Sequence, residues 1–239
     1  MRSADTQPGP ANDGSSVRTA LGTERLRRIY DRVAKRYDLQ HALTTAWADQ
    51  RGRRLLVEAA VAQGDRVLDC GSGTGTTALM AARKAGPNGK VTLFDLSEGM
   101  LAVARDKAAR EAMLERLEFQ AGDMLHLPFA DDTFDAVLST YSLCPLYDPK
   151  KGALELYRVA KSGGKIGIAH STTPRNPVVR WLADRVEEVA WRFPRLSLGC
   201  RPVSVLPALT GAGARVVFSR RIGVPLWPFL VSVLEKPVR

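Results

Sequence analysis

The sequence predicts an α/β fold: a doubly wound, seven-stranded, mostly parallel sheet, with a helical segment ahead of it and an antiparallel hairpin at its end. Three observations carry that expectation. From residue 64 onward, short β-rich runs alternate with helical patterns, the signature of a parallel sheet covered on both faces. The first such run leads straight into VLDCGSGTGTT (67–77), with glycine at 71, 73 and 75. The last two strand-like runs are separated by only a short turn, as in a hairpin at a sheet edge.

In chain order, MRSADTQPGPANDGSS opens the sequence without an apolar segment, so it reads as a disordered tail (1–17) and not as a secretory signal. Residues 18–239 read as one domain, with a helical lid over 18–62 and the sheet-containing core over 63–239. In the lid, Leu26, Ile29, Tyr30, Val33 and Tyr37 recur at helical spacing, and Arg25, Arg28, Arg32 and Arg36 take the other face. A second helix is expected over Trp47–Ala62. Strands are expected at 65–70, 90–95, 117–120, 134–139 and 164–171. Between them, TTALMAARKA, SEGMLAVARDKAARE and KKGALELYRVAK carry helical periodicity. Ser97 is placed to cap one of these helices, and Pro149 to start another. Residues 176–193 form an amphipathic stretch with Trp181 and Trp191, and 214–223 with 228–236 form the terminal hairpin.

Composition narrows the function. A hydrophobic content of 45% with 25% charged residues fits a soluble globular chain. The apolar run 224–234 is shorter than the roughly 20 residues of a membrane span and holds Pro225 and Pro228. Cys70, Cys144 and Cys200 are odd in number and far apart, which excludes a full disulfide framework and a zinc site of the usual spacing; a reducing cytoplasm is the natural compartment. The net charge of +10 is uneven: residues 18–54 carry +6, 55–157 carry −5 and 158–239 carry +10. Two basic flanks around an acidic centre read either as solvated faces or as a rim for an anionic membrane surface or a nucleic acid.

The glycine loop has three candidate ligands. A dinucleotide site needs glycine at the third, closely packed position of GxGxxG, and that position here is Thr76. The phosphate-loop pattern ending in Gly-Lys-Ser/Thr is absent. Gly71, Gly73 and Gly75 in a GxGxG run suit S-adenosyl-L-methionine, its amino-acid portion against the loop and Asp69 nearby for the ammonium group. Asp95 ends the second strand, where a carboxylate can accept both ribose hydroxyls. Asp123 and Met124 follow the third strand, where an acid and a backbone N–H can reach the adenine; turn chemistry in AGDML is the alternative role for Asp123.

These motifs resemble those of class I S-adenosylmethionine-dependent methyltransferases of the UbiE type, which C-methylate ubiquinone and menaquinone precursors. The resemblance rests on IYDRVAKRYD (29–38), VLDCGSGTG (67–75), FDLSEGML (94–101), LPFADDTFDAV (127–137) and LYRVAKSGGK (156–165). It implies a Rossmann-like methyltransferase fold and makes Thr74, Asp95, Leu96, Asp123, Met124 and Thr140 contacts of the cofactor, with Tyr37 near the methionine carboxylate. Methyl transfer to a proton-bearing acceptor needs a base. Candidates are His170 at the end of strand five, Tyr141 after strand four and His41 in the lid.

The acceptor region departs from that family. Cys144 and Pro145 stand where it carries an Arg-Asn pair, in TYSLCPL (140–146). The expected acceptor is a hydrophobic small molecule or lipid-borne group, with quinone-precursor C-methylation the nearest family activity, taken from the cytoplasm or the cytoplasmic membrane face. Phospholipid N-methylation is one alternative. Thiol or arsenite methylation is another, with Cys144 and Cys200 as tentative substrate ligands, since thiolates suit a soft ion. Nucleic acid has less support: there is no Asn/Asp-Pro-Pro-aromatic motif, and few aromatics interleave with the basic residues. A non-catalytic scaffold that only binds the cofactor is the remaining reading.

Overall fold

The computed structural model describes residues 22–39, 48–191 and 202–238, the last five of the second stretch as backbone only. The expected tail 1–17 lies outside these residues, as do His41 and Cys200. Seven strands form one sheet in the order β3-β2-β1-β4-β5-β7-β6: β1 Arg66–Cys70, β2 Lys90–Asp95, β3 Leu117–Ala121, β4 Phe134–Thr140, β5 Ala160–Ser171, β6 Arg215–Val224 and β7 Trp227–Glu235. Strands β1 to β5 pair in parallel, and β7 runs antiparallel to both β5 and β6. The expected hairpin is therefore present, with its second strand inserted between β5 and the edge strand β6. That edge carries Arg215, Arg220 and Arg221, charges of the kind that discourage strand addition.

Alternating side chains split the core into two layers. Val67, Ala136 and Leu138 face one side with Leu56, Ala78 and Leu101, while Leu68, Val137, Ile166 and Ile168 face the other with Leu156 and Leu209. The first layer is covered by helices α2 Ala48–Ala60, α3 Thr76–Ala85 and α4 Glu98–Arg110; the second by α5 Pro149–Val159 and α7 Leu206–Gly211. Ahead of them lies α1 Thr23–Val33, and after β5 comes α6 Pro177–Trp191. Ser97 caps α4 by accepting the Met100 N–H at 3.0 Å, and Asp148 caps α5, whose first residue is Pro149.

Three features differ from the sequence reading. Helix α2 falls within the expected lid, yet it packs on the sheet: Leu56 is fully buried, and a Cβ on Gly167 of β5 would lie 3.0 Å from Leu56 Cγ. Strand β5 starts at Ala160, ahead of the expected Gly164, because the chain pairs at Phe134–Ala160, bulges, and resumes at Ala136–Lys165. Gly163 takes a φ of 76° inside that bulge, so a glycine pair that reads as a turn is absorbed into a strand. Helix α7 was not anticipated; its Leu209 and the preceding Val205 fill the second layer.

Lys236, just beyond β7, is buried. Its ammonium donates to the carbonyls of Tyr157 (3.1 Å), Arg158 (3.2 Å) and Ala160 (2.8 Å), with Asp132 at 3.0 Å. It therefore supplies donors to the end of α5, where carbonyls lack helical partners. Lys236→Met leaves those carbonyls without this donor and is expected to lower unfolding stability by about 1–3 kcal/mol, measured by urea denaturation; an unchanged midpoint removes Lys236 from the terminus of α5.

Candidate functional site

The sheet order reverses between β1 and β4, and a cleft opens outside the carboxyl ends of these strands, the usual ligand position in open α/β sheets. The space in and over it, including space open to solvent, is about 730 Å³. The floor is the glycine loop. Gly71 (φ 69°) and Ser72 donate their N–H groups to Phe94 O at 2.7 and 3.1 Å. A Cβ on Gly71 would sit 2.2 Å from Ser142 Cβ, whereas one on Gly73 (φ 54°) would meet nothing within 4 Å. The loop is thus packed tightly against the β4 side at Gly71 and open to the cleft at Gly73.

Asp95 organises the β2 side of the cleft. Its carboxylate accepts the Gly73 N–H at 2.7 Å and the Ser97 N–H at 2.9 Å. Burial pushes its carboxyl up to about 6, opposed by those two N–H groups. Leu96, Asp123, Met124 and Thr140 also line the cleft, as do Tyr37, Gly71 and Tyr141. The Asp123 carboxylate accepts the Leu125 N–H at 2.9 Å, so it does perform turn chemistry while facing the cleft. Gly122 lets the Phe94 ring approach, since a Cβ there would lie 2.4 Å from its Cζ.

Thr74, Gly75 and Asp69 support the site from outside the lining. The Thr74 hydroxyl donates to Asp38 at 2.5 Å, and a Cβ on Gly75 would lie 2.9 Å from that of Ala104. Asp69 is fully buried in β1, and neither carboxylate oxygen has a hydrogen-bond partner. Desolvation pushes its carboxyl up to about 7, against the attraction of the Arg53 guanidinium. An orphaned buried carboxylate beneath an open glycine loop fits a ligand with an ammonium group. Gly73 and Asp95 fit its ribose, and Asp123 with Met124 its adenine, so the residues fit S-adenosyl-L-methionine.

The segment expected as a lid is fastened by two acids that the sequence reading passed over. Asp31 accepts the Ser97 hydroxyl at 2.5 Å and the Gly99 N–H at 3.2 Å. Asp38 accepts Thr74, and the Lys107 ammonium pairs with it. Both lie in IYDRVAKRYD, seven residues apart, on the segment whose Tyr30 and Tyr37 line the cleft, their rings 6.0 Å apart. The signal was available as two acids on a basic helix; their partners lie more than 30 residues away. Thr23, Leu26, Met100, Ser142, Pro145, Leu146 and Tyr147 also line the cleft.

Of the base candidates, Tyr141 has an unusual φ of 60° and is buried, its hydroxyl donating to Asp49 O at 3.5 Å. Burial pushes its phenol up, so it holds its proton at neutral pH. His170 is 2% exposed; its Nδ1 lies 2.9 Å from Ser171 O and its Nε2 has no partner. With Nδ1–H donating to that carbonyl, Nε2 is left as an unprotonated acceptor, and burial holds the imidazole below its usual value. Cys144 is buried, its sulfur accepting the Ser171 N–H at 3.4 Å; neither it nor His170 lines the cleft.

With this geometry established, comparison with known proteins gives one family and one fold. The model of the ubiE/COQ5 methyltransferase family matches residues 18–184. The ubiquinone/menaquinone biosynthesis C-methyltransferase UbiE of Geobacter sulfurreducens is 37% identical over 154 residues, 64% of this chain and 60% of that protein. The demethylmenaquinone methyltransferase of Clavibacter sepedonicus is 40% identical over 153 residues, with the same coverage. The chain thus spans about 60% of the length of these relatives. Among solved structures, the 4+2 cyclase SpnF matches with a TM-score of 0.72 and 20% identity, over 92% of this chain and 98% of that one.

Asp69 also makes a prediction for the ligand-free protein. Its folded-state value near 7 lies above the ordinary 3.8, so between the two the folded chain holds a proton that the unfolded chain has released. Stability is therefore lost as pH rises through the folded value. His170, held below 6.5, acts in the opposite sense at lower pH, and Asp95 is mostly ionised above its value of about 6. Thermal unfolding of the ligand-free protein should show stability falling as pH rises toward about 7 and levelling off by about pH 8, and Asp69→Asn should flatten that slope. A slope that survives the substitution assigns the proton elsewhere.

Proposed function

The chain belongs to the ubiE/COQ5 methyltransferase family, and from that premise we propose that it transfers a methyl group from S-adenosyl-L-methionine to a hydrophobic small-molecule or lipid-borne acceptor. The observation that supports this most is the Gly73–Asp95 hydrogen bond at the edge of an open glycine loop, above the unpartnered Asp69 carboxylate. The cofactor supplies the electrophilic methyl and its leaving group. The chain's own residues orient it, exclude water and handle the acceptor's proton. Asp95 and Asp123 would hold the nucleoside, Asp69 the ammonium group, and Tyr30, Tyr37 and Leu26 would cover the cleft. Of the base candidates, His170 keeps an unpartnered Nε2 at the end of β5 but lies behind the cleft lining, so it is proposed as the base for an acceptor that reaches past that lining.

Among the described residues no Lys, Arg or His lines the cleft, which favours a neutral, apolar acceptor over a phosphate-bearing one. The relatives' names point to quinone precursors, and Leu146, Tyr147 and Met124 offer the apolar wall such a ring needs. Thiol or arsenite chemistry is less favoured, since Cys144 spends its sulfur on Ser171 outside the cleft. One fold neighbour is a 4+2 cyclase, so the fold by itself does not select methyl transfer. Release of S-adenosylhomocysteine in the presence of an acceptor panel of quinols, phosphatidylethanolamine, thiols and arsenite does.

A second reading concerns where the acceptor is met. Val178, Trp181, Leu182 and Val186 of α6 are exposed, with Arg175, Arg180 and Arg185 in the same segment, a pattern suited to an anionic membrane surface. No helix among the described residues is long and apolar enough to cross a membrane. Flotation with phosphatidylglycerol vesicles should show binding at low salt that weakens at high salt; none at low salt removes the membrane.

Two substitutions test the site. Asp95→Ala should weaken calorimetric binding of S-adenosylmethionine by about 1–3 kcal/mol, and undiminished affinity removes Asp95 from it. His170→Gln should lower kcat by about 10²–10⁴ with cofactor affinity retained. Full turnover by that variant eliminates His170 as the base.

A further inference from the structure

Under the cleft lies an arginine that no part of the cofactor reading uses. Arg53 belongs to α2, none of whose residues lines the cleft, yet its side chain is buried against the cleft's underside. One terminal nitrogen donates to both Thr77 Oγ1 and Thr140 Oγ1, each at 2.7 Å, and the two hydroxyls are 2.9 Å apart. Thr77 sits in the first turn of the helix after the glycine loop; Thr140 ends β4 and lines the cleft. The guanidinium also lies 5.2 Å from the Tyr141 ring centroid, with Asp49 Oδ2 3.7 Å from its Nε. That Nε has no hydrogen-bond partner, so the group is incompletely solvated by the protein. A buried ion in this condition contributes little to stability, and its placement calls for another reason.

We propose that Arg53 is a positioning residue of the cofactor cleft: it holds the Thr77 and Thr140 hydroxyls at the cleft wall and sets a buried positive charge behind Asp69, acting from a helix that never reaches the cofactor. The proposal rests on the cofactor reading above. The groups facing Asp69 are few. Arg53 from α2 attracts its charge, Asp95 from β2 repels it, and the N–H of Ala78 in α3 assists. Cys70 beside it is pushed up by burial and stays a thiol, and the Tyr141 phenol stays neutral. Asp49, next to Arg53, offsets part of the guanidinium's field. Without Arg53, Asp69 would be a buried acid facing another acid with only the Ala78 N–H to favour its charge, and a neutral acid does not attract an ammonium group. Lysine would keep the charge, but its rotatable ammonium does not fix the directions of its donors as the planar guanidinium does.

The test uses the full chain with Arg53→Met, Arg53→Lys, Asp69→Asn and the Met/Asn double variant. Two quantities are read: the pH dependence of ligand-free stability, and calorimetric binding of S-adenosylhomocysteine from pH 6 to pH 9. In the wild type, affinity should fall as pH drops through about 7. Arg53→Met should move both pH windows upward by about one to three units and weaken binding at pH 7.5 by about 10-fold or more. In the Asp69→Asn background the same change should have little further effect on the pH profile, which a merely structural arginine would not achieve. Arg53→Lys should keep the windows and lose a few-fold in affinity. Unmoved windows in Arg53→Met, or fully additive effects in the cycle, overturn the proposal. If Arg53→Met does not fold, Arg53→Lys with wild-type affinity and its Asp69 window displaced overturns it instead. A wild type that binds no S-adenosylhomocysteine overturns the cofactor reading, while the ligand-free window still tests Arg53.

Discussion

The site depends on how the loop after β1 gives up its backbone N–H groups to β2. Gly71 and Ser72 donate to the carbonyl of Phe94, and Gly73 donates to the side chain of Asp95. Three consecutive donors are thus satisfied by two consecutive residues of the neighbouring strand. The arrangement requires left-handed backbone at Gly71 and Gly73, which glycine adopts at low cost. Once the loop is tied there, the Asp95 carboxylate is fixed at the rim, and the lid closes onto the same neighbourhood. Asp31 holds the cap residue Ser97 two positions on, and Asp38 holds Thr74 within the loop. The lid, loop and strand end are one hydrogen-bonded unit.

Beneath that unit the protein accepts an electrostatic cost. Asp69 and Asp95 are both removed from water, and burial pushes both carboxyls upward. Asp95 recovers part of the cost through two backbone hydrogen bonds; Asp69 makes none and depends on the field of Arg53 and the nearby N–H of Ala78. Such groups are poor choices for stability and good ones for binding, because a cationic ligand supplies the missing partner. The molecule separates the two tasks. Apolar layers cover both faces of the sheet, and among the described residues the unsatisfied buried polar atoms belong to Arg53, Asp69, Ser72 and His170.

Much of this was legible in the sequence, for physical reasons that differ between elements. Strand and helix alternation was readable because side-chain periodicity reports the buried face directly. Ser97 and Pro149 marked helix starts because capping is local chemistry. Strand β5 was misjudged at its start because SGG favours a turn in isolation, and only its pairing with Phe134 and Ala136 turns it into a bulge. Helix α2 was read as part of a lid because amphipathicity does not say which surface receives the apolar stripe.

Local chain chemistry was enough to determine the fold class, the glycine loop and the acids at the ends of β1, β2 and β3. Spacing along a strand and backbone freedom at glycine are encoded within a few residues. Tertiary structure alone decided that Asp31 and Asp38 hold the lid, that Thr74 faces Asp38, and that Cys144 turns to Ser171. It also placed Arg53, 16 residues before Asp69 in the chain, under the same cleft. Those outcomes depend on which distant groups share a buried volume, and a charge or hydroxyl acquires its role only from the partner that replaces water.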